Sequence, residues 1–482
     1  MDITPFLDKK SKTPLYEQLY TFFKQEISYA RITKGTKLPS KRRLSGLLGV
    51  STATIERAYE QLTAEGYVKS KPKIGWFAAG VEAGFPAVPD HFHQSMQQVL
   101  HEHNAPAIDF HQGNVDHIHF PFNAWRKSTA KSLERYSGSF HTSGDPQGEP
   151  ELRHMIAHFV RMSRGVNCEP GQIIIGAGTT VLLQILCLTL EPGTKIGFEE
   201  PGFHRSRRMF EANRMNVIPI CSDEEGVLLG EVKRQNPYFV YTTPSHQFPL
   251  GTIMTITRRQ ELLAWAKEAN SFIIEDDYDG EFRYSGQPIP SLQGLDPNGR
   301  VIYLGTFSKS LLPSLRLSYM ILPPALMEPV RKNAQLMKQT VSFHSQMALA
   351  DFIESGEWQK HVNRMRALYR KKHAVLLDAI RSELGNSVEI LGKNSGLHIL
   401  LRILFPVSEE EAIKAAADNG VTIYPVSPSY KGQPPFVSVL IGYGSLSEED
   451  IRLGIEKLKT AWAPWISSFF KMIKFRLNLR IQ

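Results

Sequence analysis

Cysteine is scarce in this chain, with three among 482 residues: Cys168, Cys187 and Cys221. Their wide spacing forms neither a disulfide framework nor a zinc pattern, which points to a reducing compartment. Long apolar runs are lacking as well. The longest, Val181 to Leu190, is interrupted by Gln184 and Thr189 and is too short to span a bilayer, so no membrane partner is expected. Met1 to Asp8 is mixed in character and polar residues follow; no export signal is expected, and the cytoplasm is the expected location. Ordered metal ligands are also missing. His91/His93, His101/His103 and His117/His119 form His-x-His pairs with neither nearby cysteine nor helical spacing, and no metal site is expected.

Against these absences stand a length that exceeds what one hydrophobic core organises and an apolar content of 42%, ordinary for a globular protein. Two or three domains follow. Charge is uneven: residues 1–80 hold 14 Lys+Arg against 7 Asp+Glu, nearly the whole +8 of the chain. A basic small segment on a near-neutral large one fits a phosphate-binding module better than charge spread for solubility.

Within the basic segment, Leu15, Leu19, Phe22, Phe23 and Ile27 recur at helical spacing and predict a first helix over Pro14 to Ala30. Ser40 is placed to cap a second helix through Leu48, Gly49 breaks it, and Ser51 is placed to cap a third that runs to about Glu65. Tyr67 to Ala79, with Pro72 and Gly75 between short β-prone runs, reads as a two-stranded wing. The sum is a winged helix-turn-helix. In that geometry Ser51, Thr52 and Thr54 begin the helix that enters the major groove, with Arg57 one turn on, while Arg42, Arg43 and Lys71 or Lys73 hold phosphates. The plainer alternative is that Ser51 only caps a helix and the basic residues form a solvated face.

After residue 80, prolines, a glycine and several histidines with weak periodicity read as a linker to about residue 107. From about Ile108 to Leu458, short β-rich runs alternate with longer amphipathic stretches. Ile173 to Ile175, Lys195 to Phe198, Tyr238 to Thr242, Phe272 to Glu275, Val301 to Leu304 and Leu317 to Ile321 read as buried strands, so an α/β domain with a mostly parallel sheet is predicted. Polar motifs fall at the ends of these strands, where such sheets bind ligands. Lys309 lies in Thr306-Phe307-Ser308-Lys309-Ser310 just after one of them, with Arg316 seven positions later. A lysine between small hydroxyl residues, with an arginine close by, is how a Schiff-base lysine for pyridoxal phosphate is presented. Gly178-Thr179-Thr180 opens an apolar helical run and offers amides and hydroxyls to a phosphate. Glu275-Asp276-Asp277-Tyr278 ends another strand, where a carboxylate is placed to pair with a protonated pyridine nitrogen; Tyr278 is in place for the ring hydroxyl. Asp276 and Asp277 together are also a Mg²⁺ motif, though without a Walker sequence. Phe203 is either a ring that stacks on a cofactor or an ordinary core aromatic.

The N-terminal segment resembles the GntR family of bacterial regulators on Leu38 to Arg42 (Leu-Pro-Ser-x-Arg), Leu48 to Thr54 (Leu-Gly-Val-Ser-x-x-Thr), Arg57-Ala58-Tyr59 and Leu62. Where many relatives have an arginine after the serine this chain has Thr52, so no base contact is carried over there. The larger segment resembles the fold-type I aminotransferases: Gly144 to Gly148 with Pro150 to Arg153, Thr243 to Pro249, Glu275 to Tyr278 and Ser308 to Ser310 fall in that family's order. Nearly end to end, the chain is similar to MocR-type regulators. The resemblance implies Lys309 as the cofactor-bound lysine, Asp276 at the pyridine nitrogen, Tyr278 at the ring hydroxyl, Phe203 as the stacking ring, and Thr179, Thr180, Ser308 and Arg316 around the phosphate. It also implies a head-to-tail homodimer on double-stranded operator DNA.

One departure bears on the ligand. Tyr424-Pro425-Val426-Ser427 runs into Pro428-Ser429-Tyr430, whereas many relatives place there an arginine that grips an amino acid carboxylate. Arg207 and Arg402 are the candidate substitutes. The expected effector is therefore pyridoxal phosphate itself or an amine without that contact. Residues 463–482 carry Lys471, Lys474, Arg476 and Arg480 with no acid, and read as a basic extension that lies over the domain surface or tracks a membrane or DNA. The expected organisation is a winged helix-turn-helix over 1–79, a linker over 80–107, an aminotransferase-like α/β domain over 108–462 and the extension. Two functions stay open: a regulator that senses a small-molecule effector through a lysine-bound cofactor, and an active aminotransferase with an accessory DNA-binding domain.

Overall fold

The computed structural model describes residues 7, 11, 13–29, 31–72, 74–79, 108–284 and 290–481, the side chains of 470 and 472–481 excepted. The expected linker, Lys73 and four of the paired histidines lie outside this set, as do the side chains of Lys474, Arg476 and Arg480. The framework divides into two compact units, Met1–Ala105 and Pro106–Gln482.

The first unit runs α1 (Leu15–Ser28), α2 (Lys41–Leu48), α3 (Thr52–Ala64), then β1 (Val68–Lys71) antiparallel to β2 (Gly75–Ala78). Each start has its chemistry. The Ser40 hydroxyl accepts the Arg43 amide at 3.3 Å and the Ser51 hydroxyl accepts the Thr54 amide at 3.1 Å, so two helices begin where a serine satisfies an otherwise orphaned donor. Gly49 ends α2 at φ 61, a left-handed conformation without penalty only for glycine. Leu19, Phe23 and Ile27 meet Leu44, Ile55, Tyr59 and Leu62 in one core, which the spacing of three and four along each helix makes possible. This is the winged helix-turn-helix read from the sequence.

The second unit centres on an eight-stranded sheet. In chain order its strands follow the short β3 (Ile108–Asp109): β4 (Ile173–Gly176), β5 (Lys195–Glu200), β6 (Asn216–Asp223), β7 (Gly226–Val227), β8 (Phe239–Thr242), β9 (Phe272–Asp277), β10 (Val301–Thr306) and β11 (Ser318–Ile321). In space the order is β4-β11-β10-β9-β8-β5-β6-β7. β9 is buried along its whole length, as a strand covered by helices on both faces must be. Alternate side chains serve two cores: Ile173 and Ile175 pack with Leu152, Ile156 and Trp358, while Ile174 packs with Leu182, Leu186 and Phe198 on the other face.

A smaller antiparallel sheet, ordered β12-β13-β16-β15, is made of β12 (Val388–Leu391), β13 (His398–Ile403), β15 (Tyr424–Pro425) and β16 (Ser438–Gly442); β14 (Val421–Thr422) pairs instead with β3. Its core takes Leu376 and Ile380 from the helix Glu357–Glu383, Ala412 and Ala416, and Ile455, Leu458 and Trp462 from the last helix, Glu448–Ile481. That helix runs through residue 463, and Trp465, Ile466 and Phe469 pack on the same core. The start of the supposed extension is thus a continuation of a packed helix.

All six strands expected from apolar runs are present. β11, however, runs antiparallel to both neighbours, because strand direction is set by the connection and not by composition. β6 was not expected: it alternates buried and exposed residues and contains Pro219, so it has no continuous apolar run. No helix of the described residues is long and apolar enough to cross a membrane.

Candidate functional site

β4, β9 and β10 end on one edge of the large sheet, and β11 begins there at Ser318 opposite Gly176 and Thr306. The pleat sorts the acids of β9. Glu275 and Asp277 share one face: Glu275 lies 3.8 Å from Arg259 and accepts the Leu292 and Gln293 amides, and Asp277 is held by Arg164 at 2.6 Å and the Tyr303 hydroxyl at 2.7 Å. Asp276 points the other way, where its carboxylate accepts the Tyr241 hydroxyl. Adjacent aspartates on opposite faces do not chelate one ion between them, so the Mg²⁺ alternative has no geometry here. Burial pushes the Asp276 carboxyl up to about 7, against the lowering bond from Tyr241. An environment that resists this charge rewards a cation brought beside it.

Lys309 follows β10, and its ammonium donates to the Gln112 carbonyl. Desolvation brings its pKa down to about 8, with the Asp279 carboxylate pulling upward. Tyr278 is buried, its ring edge-on to Phe203 at 4.9 Å and its hydroxyl 2.9 Å from His246 Nδ1. Phe203 also stacks flat on Phe248, with centroids 3.9 Å apart, so one of its faces is already covered.

Thr179 and Thr180 open the helix Thr179–Cys187, where the first amides have no acceptor within the helix. Gly178 precedes them at φ 100, and a Cβ there would stand 2.1 Å from an Arg316 guanidinium nitrogen. Only glycine leaves room for that arginine. Arg316 itself sits at φ 51, an uncommon conformation for a residue with a side chain, and donates to the Ala177 carbonyl at 3.4 Å. Thr306 links the neighbouring hydroxyls, donating to Ser308 at 3.0 Å and accepting from Ser318 at 2.8 Å. A guanidinium, a helix N-terminus and hydroxyls at one strand edge suit a phosphate, and a buried carboxylate and a low-pKa lysine at the same edge suit the rest of a pyridoxal group.

Sequence reasoning missed several neighbours. His246 Nδ1 is 2.8 Å from Asp279, His398 lies beside His246 with ring centroids 4.9 Å apart, and all three residues are buried. Their ligand-type atoms lie within 4.8 Å of one another, a closeness that the His246–Asp279 hydrogen bond explains without an ion. Desolvation first, then the charges of Lys309 and Arg205, hold the His111 pKa below its ordinary value against the upward pull of Asp109; exposed Arg205 is therefore a cation near His111. Asp279, next to Tyr278, and His246, inside the Thr243 to Pro249 stretch, carried a local signal; His398 carried none. The two candidate substitutes are committed elsewhere. Arg207 donates to the carbonyls of Pro428, Ser429 and Tyr430 at 3.1, 3.5 and 3.3 Å, and Arg402 pairs with Glu389 at 3.1 Å and stacks on Phe436. Tyr430 packs against the apolar cluster that holds Phe248, Tyr278 and Val426.

In the first unit Arg42, Arg43, Thr52 and Lys71 are exposed. Ser51 caps α3, as the plainer alternative had it, and its hydroxyl is 2.8 Å from that of Thr54. The Arg57 guanidinium lies 4.1 Å over the Tyr16 ring, so part of its role is to tie α3 to α1. Lys41 pairs with Glu56 and leaves Arg42 and Arg43 as the outward cations of α2.

A winged helix-turn-helix joined to a fold-type I body defines a DNA-binding protein with an aminotransferase-like domain. Residues 105–458 match the aminotransferase class I and II family, and residues 15–78 match the gntR family of bacterial regulatory proteins. The chain is 86% identical, over 97% of its length and 100% of the relative, to the uncharacterized HTH-type transcriptional regulator YhdI of Bacillus subtilis (strain 168). It is 32% identical to the probable rhizopine catabolism regulatory protein MocR of Rhizobium meliloti, over 96% of each chain. Among solved structures, the kynurenine aminotransferase of Pyrococcus horikoshii, crystallised with PMP, superposes with a TM-score of 0.68 at 25% identity and covers 78% of this chain and 95% of that one. The chain belongs to the MocR-type transcriptional regulators, a gntR-family head fused to an aminotransferase class I and II domain.

Proposed function

We propose that this regulator binds operator DNA through its winged helix and holds pyridoxal phosphate on Lys309, and that a small molecule competing for that lysine changes its DNA affinity. The observation that carries the reading is the gathering of Lys309, Asp276, Tyr278 and the Gly178–Arg316 cradle at one sheet edge. When bound, pyridoxal phosphate supplies an electron sink for bonds beside an amine. Lys309, with a pKa of about 8, presents a useful fraction of free amine near neutral pH. Asp276 keeps a proton on the ring nitrogen, Tyr278 donates to the ring oxygen, Phe203 limits the ring, and Thr179, Thr180, Ser308 and Arg316 hold the phosphate. Arg42 and Arg43, with Lys71, contact DNA phosphates, while Ser51, Thr52, Thr54 and Arg57 lie at the groove-facing end of α3.

The protein acts as a cytoplasmic homodimer that reads two half-sites, and the effector alters the balance between two conformations by no more than its difference in affinity for them. With Arg207 and Arg402 engaged and Tyr430 at the carboxylate position, that effector is pyridoxal phosphate itself or an amine recognised without a guanidinium fork. A common α- or γ-amino acid that shifts the cofactor spectrum at low concentration would refute this. The test of the whole reading is binding of cofactor-loaded protein to DNA from upstream of its own gene and to a scrambled duplex at fixed salt, with and without added pyridoxal phosphate. Selective binding that changes with the cofactor is expected. Equal weak binding to both duplexes would favour the active aminotransferase, a reading that the cofactor-type groups around Lys309 keep in play. Lys309→Ala is expected to lose the visible cofactor band entirely.

A further inference from the structure

Beside Tyr278 lies a group of buried side chains to which the proposed function gives no part. His246, Asp279 and His398 are each 2% exposed. The fold makes deliberate room for the first of them. A Cβ on Gly396, at φ +78, would stand 2.0 Å from His246 Cε1, and one on Gly251, at φ +71, would stand 2.3 Å from Gly392 Cα and 3.1 Å from His246 Nε2. His246 is clasped by two turns that tolerate only glycine.

The proton on this imidazole has one consistent place. Asp279 Oδ2 is 2.8 Å from His246 Nδ1, and an ionised carboxylate only accepts, so Nδ1 carries the hydrogen. Among the described residues His246 Nε2 has no hydrogen-bond partner, and it keeps its lone pair. The Tyr278 oxygen is 2.9 Å from the same Nδ1. An Nδ1 that is donating cannot accept, so Tyr278 contributes a lone pair to a shared N–H and its own O–H is turned elsewhere. His398 Nε2 likewise has no hydrogen-bond partner among the described residues.

We propose that Asp279 and His246 are positioning residues that fix the direction of the Tyr278 proton, aiming the hydroxyl at the ring oxygen of the cofactor. The inference rests on the reading of this edge as a pyridoxal phosphate site. Its chemistry is specific. A tyrosine that donates its hydrogen to the ring oxygen stabilises negative charge there in place of the neighbouring proton, so the nitrogen that joins the cofactor to Lys309 gives up its proton more readily. A tyrosine free to turn its hydrogen toward His246 does so less well. Around His246 stand Asp279 and Tyr278 after β9, His398 on β13 and His373 on the helix Glu357–Glu383, and Arg164, Arg259 and Arg283 line the same cavity as His246 and Asp279; Lys309 faces His398 and Asp279.

The experiment is a pH titration of the visible band of the cofactor-loaded full chain. Tyr278→Phe removes the donor and sets the largest upward shift of the midpoint. His246→Gln and Asp279→Asn are each expected to raise the midpoint by about one pH unit, a tenfold change in proton affinity, with cofactor still bound one per chain. Adding His246→Gln to Tyr278→Phe is expected to change nothing further. An unmoved midpoint in both single variants overturns the proposal, as does a His246→Gln shift that persists in full on the Tyr278→Phe background. Should His246→Gln fail to fold by circular dichroism, Asp279→Asn alone and with Tyr278→Phe decides the same question. A wild-type protein without a visible band overturns the cofactor reading and this relay with it, whereas a normal band with an unmoved midpoint overturns only the relay.

Discussion

Arg42, Arg43, Ser51 and Thr52 of the first unit stand exposed, whereas Asp276 and Tyr278 of the second are 5% and 7% exposed. The contrast follows from what each unit binds. Phosphates of a duplex come to the protein surface with their counterions, so cations that read them work best in water, held at a fixed place by a rigid core beneath. A cofactor ring is instead drawn out of water. In the proposed site burial raises the Asp276 carboxyl and lowers the Lys309 amine, so both groups answer strongly to a charge brought beside them. Substitutions should therefore act on surface charge in one unit and on an internal balance in the other.

The largest expected effect tests whether the units stand apart. Leu62 is wholly buried in the first core, and Leu62→Ala should remove roughly 2–5 kcal/mol from that unit. Thermal melting followed on DNA binding should collapse while the cofactor band survives; joint loss of both would break the contrast. Next comes Asp276→Asn, which keeps the shape and removes the charge. Cofactor affinity by equilibrium dialysis is expected to fall by about 2 kcal/mol, roughly 30-fold, with operator affinity of the remaining loaded protein unchanged. The smallest concerns the surface: Arg42→Ala with Arg43→Ala should leave the melting temperature where it is and reduce the slope of log affinity against log salt by about 2. A large loss of stability would show that these arginines hold the fold and not DNA.

How much of this was legible beforehand depended on how local the cause was. Ser40 and Ser51 announce helix starts because a cap needs only its own next three residues, and the apolar run of β9 announces a strand because burial on both faces leaves no polar position. β6 escaped because its one wet face interrupts the apolar signal. The small antiparallel sheet escaped because its strands pair across long stretches of chain, as β13 does with β16. Arg207 shows the same limit in the site: nothing near it in sequence says that it clamps carbonyls more than 200 positions away.

By itself the sequence determined the winged helix, the α/β body and the family, and named Lys309, Asp276, Tyr278 and Arg316 as the candidate site, because caps, periodicity and motifs act over short stretches. Tertiary structure alone decided which face of β9 each acid takes, that Arg316 lies against Gly178, that Arg57 rests on Tyr16, and that His246 and Asp279 back the tyrosine. Those facts depend on distances between elements remote in sequence, and such distances are fixed only when the sheet assembles and its cores close.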